Sequence, residues 1–475
     1  MFGHDVREDL ARVCRILAHH ELIDLWGHVS LRVPGSDVVM VTPRFSRRCL
    51  PRAITAGDVL VSDLSGKLGA GSDKLPLQFA VDLETYSSKR EAGAVMFASP
   101  LTAMAAAIAR YALAPLTHME SSIAYDLAFF ESDTLAEAES SASRLAGLLL
   151  ESGAVQQPGI GAWTMGNDLL DCLTKMYHLE YLAQANLVSA QWQEAPETVH
   201  RSDSDKLWGQ FSGHHHYAEF FSSLDPGPLT HPYHAFLETH APDGDPANVL
   251  GAAIAFSCRA LWERGTLVAF LEHISHRLPG DQQFVMTAAK NFRDMAPGDL
   301  CVLDYDANWI AGPRPPNFKW FHAQLLSERR DAQVVVHTHD LLGRVYALGK
   351  RRLVPAFRTG LEIAMQPLPA YPRCDLIVDA DVRRQTIDAL GAGPVVHEIG
   401  HGTDFVSGTL ERSTVDAIQR EAFLRTHHLA ERFGTPRPLP ALLRARLKEV
   451  EPDAVDWWWF YAAEVGAPRR SAGGL

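Results

Sequence analysis

Apolar positions recur three and four residues apart over 6–19 and over 249–264, the spacing of a helix that buries one face. Short runs at 30–33, 38–42 and 59–62 follow the first of these and read as strands. Helical spacing over 79–89 leads into an apolar run at 94–97, and spacing over 321–330 leads into 334–337. The run Val334-Val335-Val336 is apolar on both faces, which suits a strand covered by helices on either side. Helices over 169–185 and 415–433 close the two stretches.

This order of elements occurs twice. Gly27-His28-Val29-Ser30-Leu31-Arg32-Val33-Pro34 parallels Glu272-His273-Ile274-Ser275-His276-Arg277-Leu278-Pro279, an offset of 245 (273 − 28). Gly57-Asp58-Val59 parallels Gly298-Asp299-Leu300 at 241 (299 − 58), Phe97 falls on His337 at 240, and Gly166 falls on Ser407 at 241. Landmarks in one order at a nearly constant offset mark a tandem duplication. The division this predicts is a first copy over 1–192, a connector over 193–246, a second copy over 247–435 and a tail over 436–475. Within the connector, 208–224 is apolar enough for a helix packed on the first copy. The tail holds Trp457-Trp458-Trp459-Phe460-Tyr461, which is expected to dock by core packing, at an interface or over the pocket.

Composition narrows the function. With 475 residues, 47% hydrophobic and 21% charged, the chain is globular, and its net charge of −13 disfavours nucleic acid and anionic membranes as partners. No run approaches the roughly 18 apolar residues of a membrane span, and the first residues lack a signal-peptide pattern. The six cysteines are scattered without a CxxC, as in reduced proteins of the cytoplasm, the expected location.

His337-Thr338-His339 is the strongest chemical signal. Alternate residues of a strand share a face, so the two imidazoles project together as a pair for a divalent ion such as Zn, Fe or Mn. A third ligand comes from His401, between Gly400 and Gly402, or from its rival His397. The first copy has Phe97, Ser99 and Ile160 at the positions of His337, His339 and His401, so all three candidate ligands are missing together. The contiguous His214-His215-His216 cannot aim three rings at one point from regular structure. No nucleotide-binding or hydrolase motif is present.

Together, His273 to Pro279, Phe318 with His322, Glu328-Arg329-Arg330-Asp331, His337-Thr338-His339, His401-Gly402 and Ser407 to Glu411 resemble the class II aldolase/adducin superfamily. The resemblance covers most of 5–190 and 248–435. It implies an α/β fold of two tandem α/β/α sandwich domains, each with a mainly antiparallel central sheet, and a metal held by His337, His339 and His401. Sugar-phosphate aldolases of the family carry Ser-Ser-Glu nineteen residues before the first ligand, where this chain has Pro316, Asn317 and Phe318. They also use an asparagine for phosphate where His273 stands. The likeness is therefore to the branch of adducin heads, decarboxylase or lyase relatives and iron-dependent oxygenases of aminocoumarin biosynthesis.

These observations predict a metal-dependent lyase, by retro-aldol cleavage or decarboxylation, for a small non-phosphorylated hydroxy- or keto-acid with an aromatic ring among the options. The alternatives are an Fe(II)-dependent oxygenase on the same three histidines and a non-catalytic adducin-like module. His322, His273 and Tyr371 are the candidate proton donors, while Arg277, Lys319 and Phe318 are the candidate substrate contacts. The fourfold tetramers of the family imply a homodimer of this duplicated chain, with first-copy residues lining the second copy's pocket.

Overall fold

The computed structural model describes residues 5–66, 74–118, 120–211, 215–266, 272–280, 282–366, 370–371 and 379–466. In chain order the first copy runs α1 (Val6–His19), β1 (His28–Arg32), β2 (Val38–Val41), β3 (Leu60–Asp63), α2 (Phe79–Ser88), β4 (Ala94–Ala98) and α3 (Leu101–Ile108). It continues with α4 (Ser121–Asp126), β5 (Ala128–Phe129), α5 (Glu139–Ser152), β6 (Ala154–Gln157), β7 (Gly161–Gly166) and α6 (Leu169–Ser189). The connector carries α7 (Arg201–Phe211), α8 (His215–Leu224) and α9 (Pro232–His240); the helix expected over 208–224 falls on α7 and α8, with 212–214 outside the described residues.

The second copy runs α10 (Pro246–Glu263), β8 (His273–Arg277), β9 (Gln283–Thr287), β10 (Leu300–Asp304), β11 (Trp309–Ala311), α11 (Lys319–Glu328), β12 (Val334–Thr338) and α12 (Leu341–Leu348). Then follow α13 (Leu361–Ala364), β13 (Ala370–Tyr371), α14 (Ala380–Leu390), β14 (Val395–Glu398), β15 (Gly402–Ser407) and α15 (Leu410–Phe433). The tail forms α16 (Ala441–Val450) and α17 (Ala454–Ala463).

Each copy is built on one mainly antiparallel sheet. The strand orders are β3-β2-β1-β4-β7-β6-β5 and β11-β10-β9-β8-β12-β15-β14-β13, the same path with one added edge strand. The register repeats as well: His28 pairs with Phe97 as His273 pairs with His337, and Phe97 pairs with Trp163 as His337 pairs with Asp404. Helix starts match between the copies too. Asp168 accepts a hydrogen bond from the Asp171 amide, and Thr409 accepts one from the Arg412 amide, at corresponding first turns.

The central strand β12 shows how the pattern becomes layers. Val335 faces a core with Phe284, Met286, Leu326 and Val406 under α11, while Val334 and Val336 face a second core. That second core is continuous with the first copy's, because α15 packs against α3. The aromatic run lies on α17, packed on α15, α10 and α9. Trp457, Trp458, Phe460 and Tyr461 are buried, and the Trp458 indole donates to Ser257 Oγ at 2.9 Å. Among the described residues, no helix is long and apolar enough to cross a membrane.

Candidate metal centre

His337 is the penultimate residue of the fully buried β12, His339 follows the strand directly, and His401 sits in the turn from β14 to β15. Gly400 gives that turn its φ of +79°, and a Cβ at Gly402 would lie 2.6 Å from the Thr338 carbonyl and 2.9 Å from the His337 ring. Only glycine lets the turn close over His337. The ligand nitrogens of His337, His339 and His401 then all lie within 4.8 Å of one another.

A carboxylate stands behind each ring. His337 Nδ1 is 2.9 Å from Asp404 Oδ1, His339 Nδ1 is 3.5 Å from Glu272 Oε1, and His401 Nδ1 is paired with Glu398 Oε2. Such carboxylates fix the ring and its tautomer, leaving Nε2 as an unprotonated ligand. Burial, helped by the neighbouring imidazoles, pushes His401 down to about 3 and also lowers His339. Both rings are therefore neutral at physiological pH, as ligation requires. His337 Nε2 and His339 Nε2 approach to 3.3 Å, close to the roughly 3.4 Å between two nitrogens on one tetrahedral ion. That spacing lets one ion take both nitrogens. The residues present thus fit a divalent metal.

Other predicted residues divide into two groups. The Phe318 ring is centred 5.2–5.7 Å from the rings of His401, His273 and His337, so it forms a wall of the centre. His273, fully buried, has no partner for either ring nitrogen among the described residues. Burial and the surrounding imidazoles hold its pKa well below the ordinary histidine value. His322 lies behind it with Nδ1 2.7 Å from Ser275 Oγ, and burial pushes it down to about 3.

Arg277 and Lys319 do not join the cluster. Arg277 lies four residues along β8 from His273 and spends its donors on the carbonyls of Leu326, Arg329 and Ala332 and on the Tyr305 hydroxyl. Lys319 Nζ donates to the Ala307 carbonyl at 2.9 Å. The backbone of Tyr371 pairs beside Glu398, but its side chain lies outside the described residues, as do those of His214, His215 and His216. His397, the rival ligand, faces the opposite side of the sheet, where it meets Thr403 and Arg420.

The carboxylates Glu272, Glu398 and Asp404 and the cation Arg344 were not singled out from the sequence. Arg344 lies on the first turns of α12, and its charge contributes to lowering His339 and His401. The signal that finds the carboxylates is the repeat itself. Their first-copy counterparts, by strand register, are Gly27, Gln157 and Trp163, so the acids vanish together with the ligands. In the first copy Phe97 stacks on Trp163 at 4.2 Å, and His28 pairs with Asp82 where the second copy has His273 and His322.

The model of the Class II Aldolase and Adducin N-terminal domain matches residues 8–187 and again 252–428. The chain belongs to the class II aldolase/adducin family, in two tandem copies. It is 33% identical over 183 residues to a 3,4-dihydroxyphthalate decarboxylase of Arthrobacter keyseri, covering 35% of this chain and 72% of that protein. A 3,4-dihydroxyphthalate decarboxylase of Terrabacter sp. is 28% identical over 224 residues, 43% of this chain and 92% of that one. Among solved structures, an aldolase II superfamily protein from Pseudomonas syringae aligns with TM-score 0.40 at 19% identity, over 46% of this chain and 90% of that one. Of the two class II aldolase domains, the second bears the three-histidine cluster and the first does not.

Proposed function

We propose that the second domain is a divalent-metal-dependent lyase that breaks a carbon–carbon bond in a small, non-phosphorylated, aromatic hydroxy- or keto-acid, with decarboxylation as the leading reaction. The observation that carries this reading is the trio of imidazoles backed by three carboxylates, beside an aromatic wall and a buried histidine with no partner among the described residues. The decarboxylase names of the relatives support loss of carbon dioxide.

His337, His339 and His401 are the ligands. The metal supplies Lewis-acid stabilisation of the negative charge that develops beside the breaking bond. Phe318 stacks the ring of the substrate, in a place where a phosphate would meet Pro316 and Asn317. Arg344 is the cation within reach of a substrate carboxylate, because Arg277 and Lys319 are engaged elsewhere. His273 is the group that returns the proton. As a neutral imidazole it donates from one nitrogen while the other accepts, and His322, braced by Ser275, stands behind it.

The same reading makes the working form a homodimer. Helix α12 exposes Leu341, Val345 and Leu348 at 55%, 54% and 60%, a stripe at helical spacing. Its first-copy counterpart α3 is covered by α15 of the same chain. The counterpart of α15 is α6, which exposes Tyr181 and Val188, followed by exposed Trp192. Two chains that repeat the internal contact, α12 on α6, close a four-domain ring in which both of these faces are covered.

Metal-loaded protein incubated under nitrogen with hydroxyaromatic carboxylates and 2-hydroxy or 2-oxo acids tests the chemistry. Carbon dioxide or aldehyde release that stops with chelator is the expected result. Turnover only with oxygen replaces the lyase by an oxygenase, and a protein that takes up no metal replaces it by an interaction module.

A further inference from the structure

The first domain has lost all three ligands and all three supporting carboxylates, yet a cation occupies the corresponding place. Arg358, in the second copy between α12 and α13, has a fully buried side chain that reaches across to the first copy. Its Nε donates to the carbonyl of Ile160 at 2.9 Å, and its Nη2 donates to Ser99 Oγ at 2.6 Å. Ile160 and Ser99 are the residues that stand where the second copy has His401 and His339. Nη2 also meets both oxygens of Asp24, at 2.9 and 2.7 Å. The guanidinium carbon lies 4.9 Å from the centre of the Trp26 ring, and the Arg358 amide donates to the Gly159 carbonyl at 3.0 Å.

We propose that the first domain keeps the cation position of the repeat as a socket for a guanidinium, filled within the same chain by Arg358, and therefore takes no metal. The acceptors the first copy supplies are one carboxylate, one hydroxyl and one backbone carbonyl, disposed around a planar fork with an aromatic face on one side. That is a match for a guanidinium and a poor one for a transition metal, which favours imidazole or thiolate nitrogen and sulfur. Apart from the neighbouring Thr359 hydroxyl, which accepts from Nη1 at 3.3 Å, the acceptors lie on the first copy and the donor on the second, so the socket also clamps the two domains together. Removing the donor leaves Asp24 without its counter-ion at a mostly buried site.

The test is Arg358→Ala in the full chain, followed by thermal melting with and without added methylguanidinium. The expected result is a melting temperature lower by about 10 °C. Millimolar methylguanidinium recovers most of the loss, while equal sodium chloride or urea does not. Arg358→Lys, which keeps the charge but not the fork, remains destabilised. An unchanged melting temperature for Arg358→Ala, or recovery by sodium chloride as good as by methylguanidinium, overturns the proposal.

Elemental analysis of the unaltered chain, saturated with zinc and desalted, decides the matter even if Arg358→Ala does not fold. One ion per chain, lost in a His337→Ala and His339→Ala double variant, is expected. Two ions per chain, or one that survives that double variant, overturns the socket. Because this count concerns the first domain, it stands apart from whether the second domain proves to be a lyase.

Discussion

Asp404→Asn isolates the role of the carboxylates. Asp404 is fully buried, lies directly across from His337 in the β12–β15 ladder, and holds its Nδ1 at 2.9 Å. Burial pushes the carboxyl up, but the adjoining His337 outweighs burial and keeps it below the usual carboxylate range. It is therefore an anion at neutral pH. Asparagine preserves the volume, and its oxygen still accepts from Nδ1, but the charge that raises the basicity of the ring is gone. The amide can also present its NH2 group to Nδ1, which would move the imidazole proton to the ligating nitrogen. The expected loss is about 10–100-fold in metal affinity, or ~1.4–2.7 kcal/mol. Competition against a chromophoric chelator at pH 7 measures it, with melting in EDTA as a check that the fold is intact. Trp163→Phe, at the matching place in the first copy, leaves the affinity unchanged. An Asp404→Asn protein that folds and binds metal within twofold of the parent refutes the argument, and so does an equal loss from Trp163→Phe.

His273→Phe removes two buried nitrogens that have no partner among the described residues, so stability is held or raised while turnover falls at least 100-fold with metal content intact; melting, metal analysis and single-turnover rates together check this. Val345→Asp charges the middle of the exposed α12 stripe, and light scattering should show a species of half the parent mass with its melting temperature within a few degrees of the parent. Stability of the metal-free protein should pass through a maximum at pH 6–7. Burial pushes His178, His231 and His397 down to about 4 and His322 to about 3, so the unfolded chain takes up more protons as pH falls below 6.5, and stability drops. Burial raises Glu451 to about 7 and Glu421 to about 8, so their folded-state protons are lost, and stability with them, as pH rises through that range. Urea midpoints at pH 5, 6.5 and 8 trace this curve, Glu451→Gln should flatten its alkaline side, and a midpoint that climbs from pH 6.5 to 8 would contradict it.

Much of this was legible because the chain contains its own comparison. Two strands with identical register let the loss of His337, His339 and His401 be read directly against Phe97, Ser99 and Ile160. The same comparison, extended to polar partners, would have exposed Glu272, Glu398 and Asp404, none of which carries a periodic signal of its own. Glu272 immediately precedes a strand, and Asp404 faces His337 only through pairing between β12 and β15. Arg277 and Lys319 show the opposite difficulty. Charge type marks a residue as able to hold a carboxylate, but not at which end of a strand its donors are spent, and here backbone carbonyls had the prior claim.

The duplication also explains why the first domain tolerates losing its site. A buried trio of imidazoles backed by carboxylates carries a desolvation cost that a bound cation offsets, so a copy that ceases to bind metal is under pressure to lose the ligands as a set. Phe97 on Trp163 replaces one ligand and its carboxylate by a stacked apolar pair, and Ile160 replaces another by hydrocarbon. Ser99 keeps a hydroxyl, and Arg358 supplies the positive charge from the neighbouring domain. The first domain thus has a domain contact where the second keeps its cluster of histidines and carboxylates. A chain with two intact sites would need a second copy of His337, His339 and His401 with Asp404, Glu398 and Glu272 behind them; a chain with none would have no reason to bury three carboxylates around three histidines.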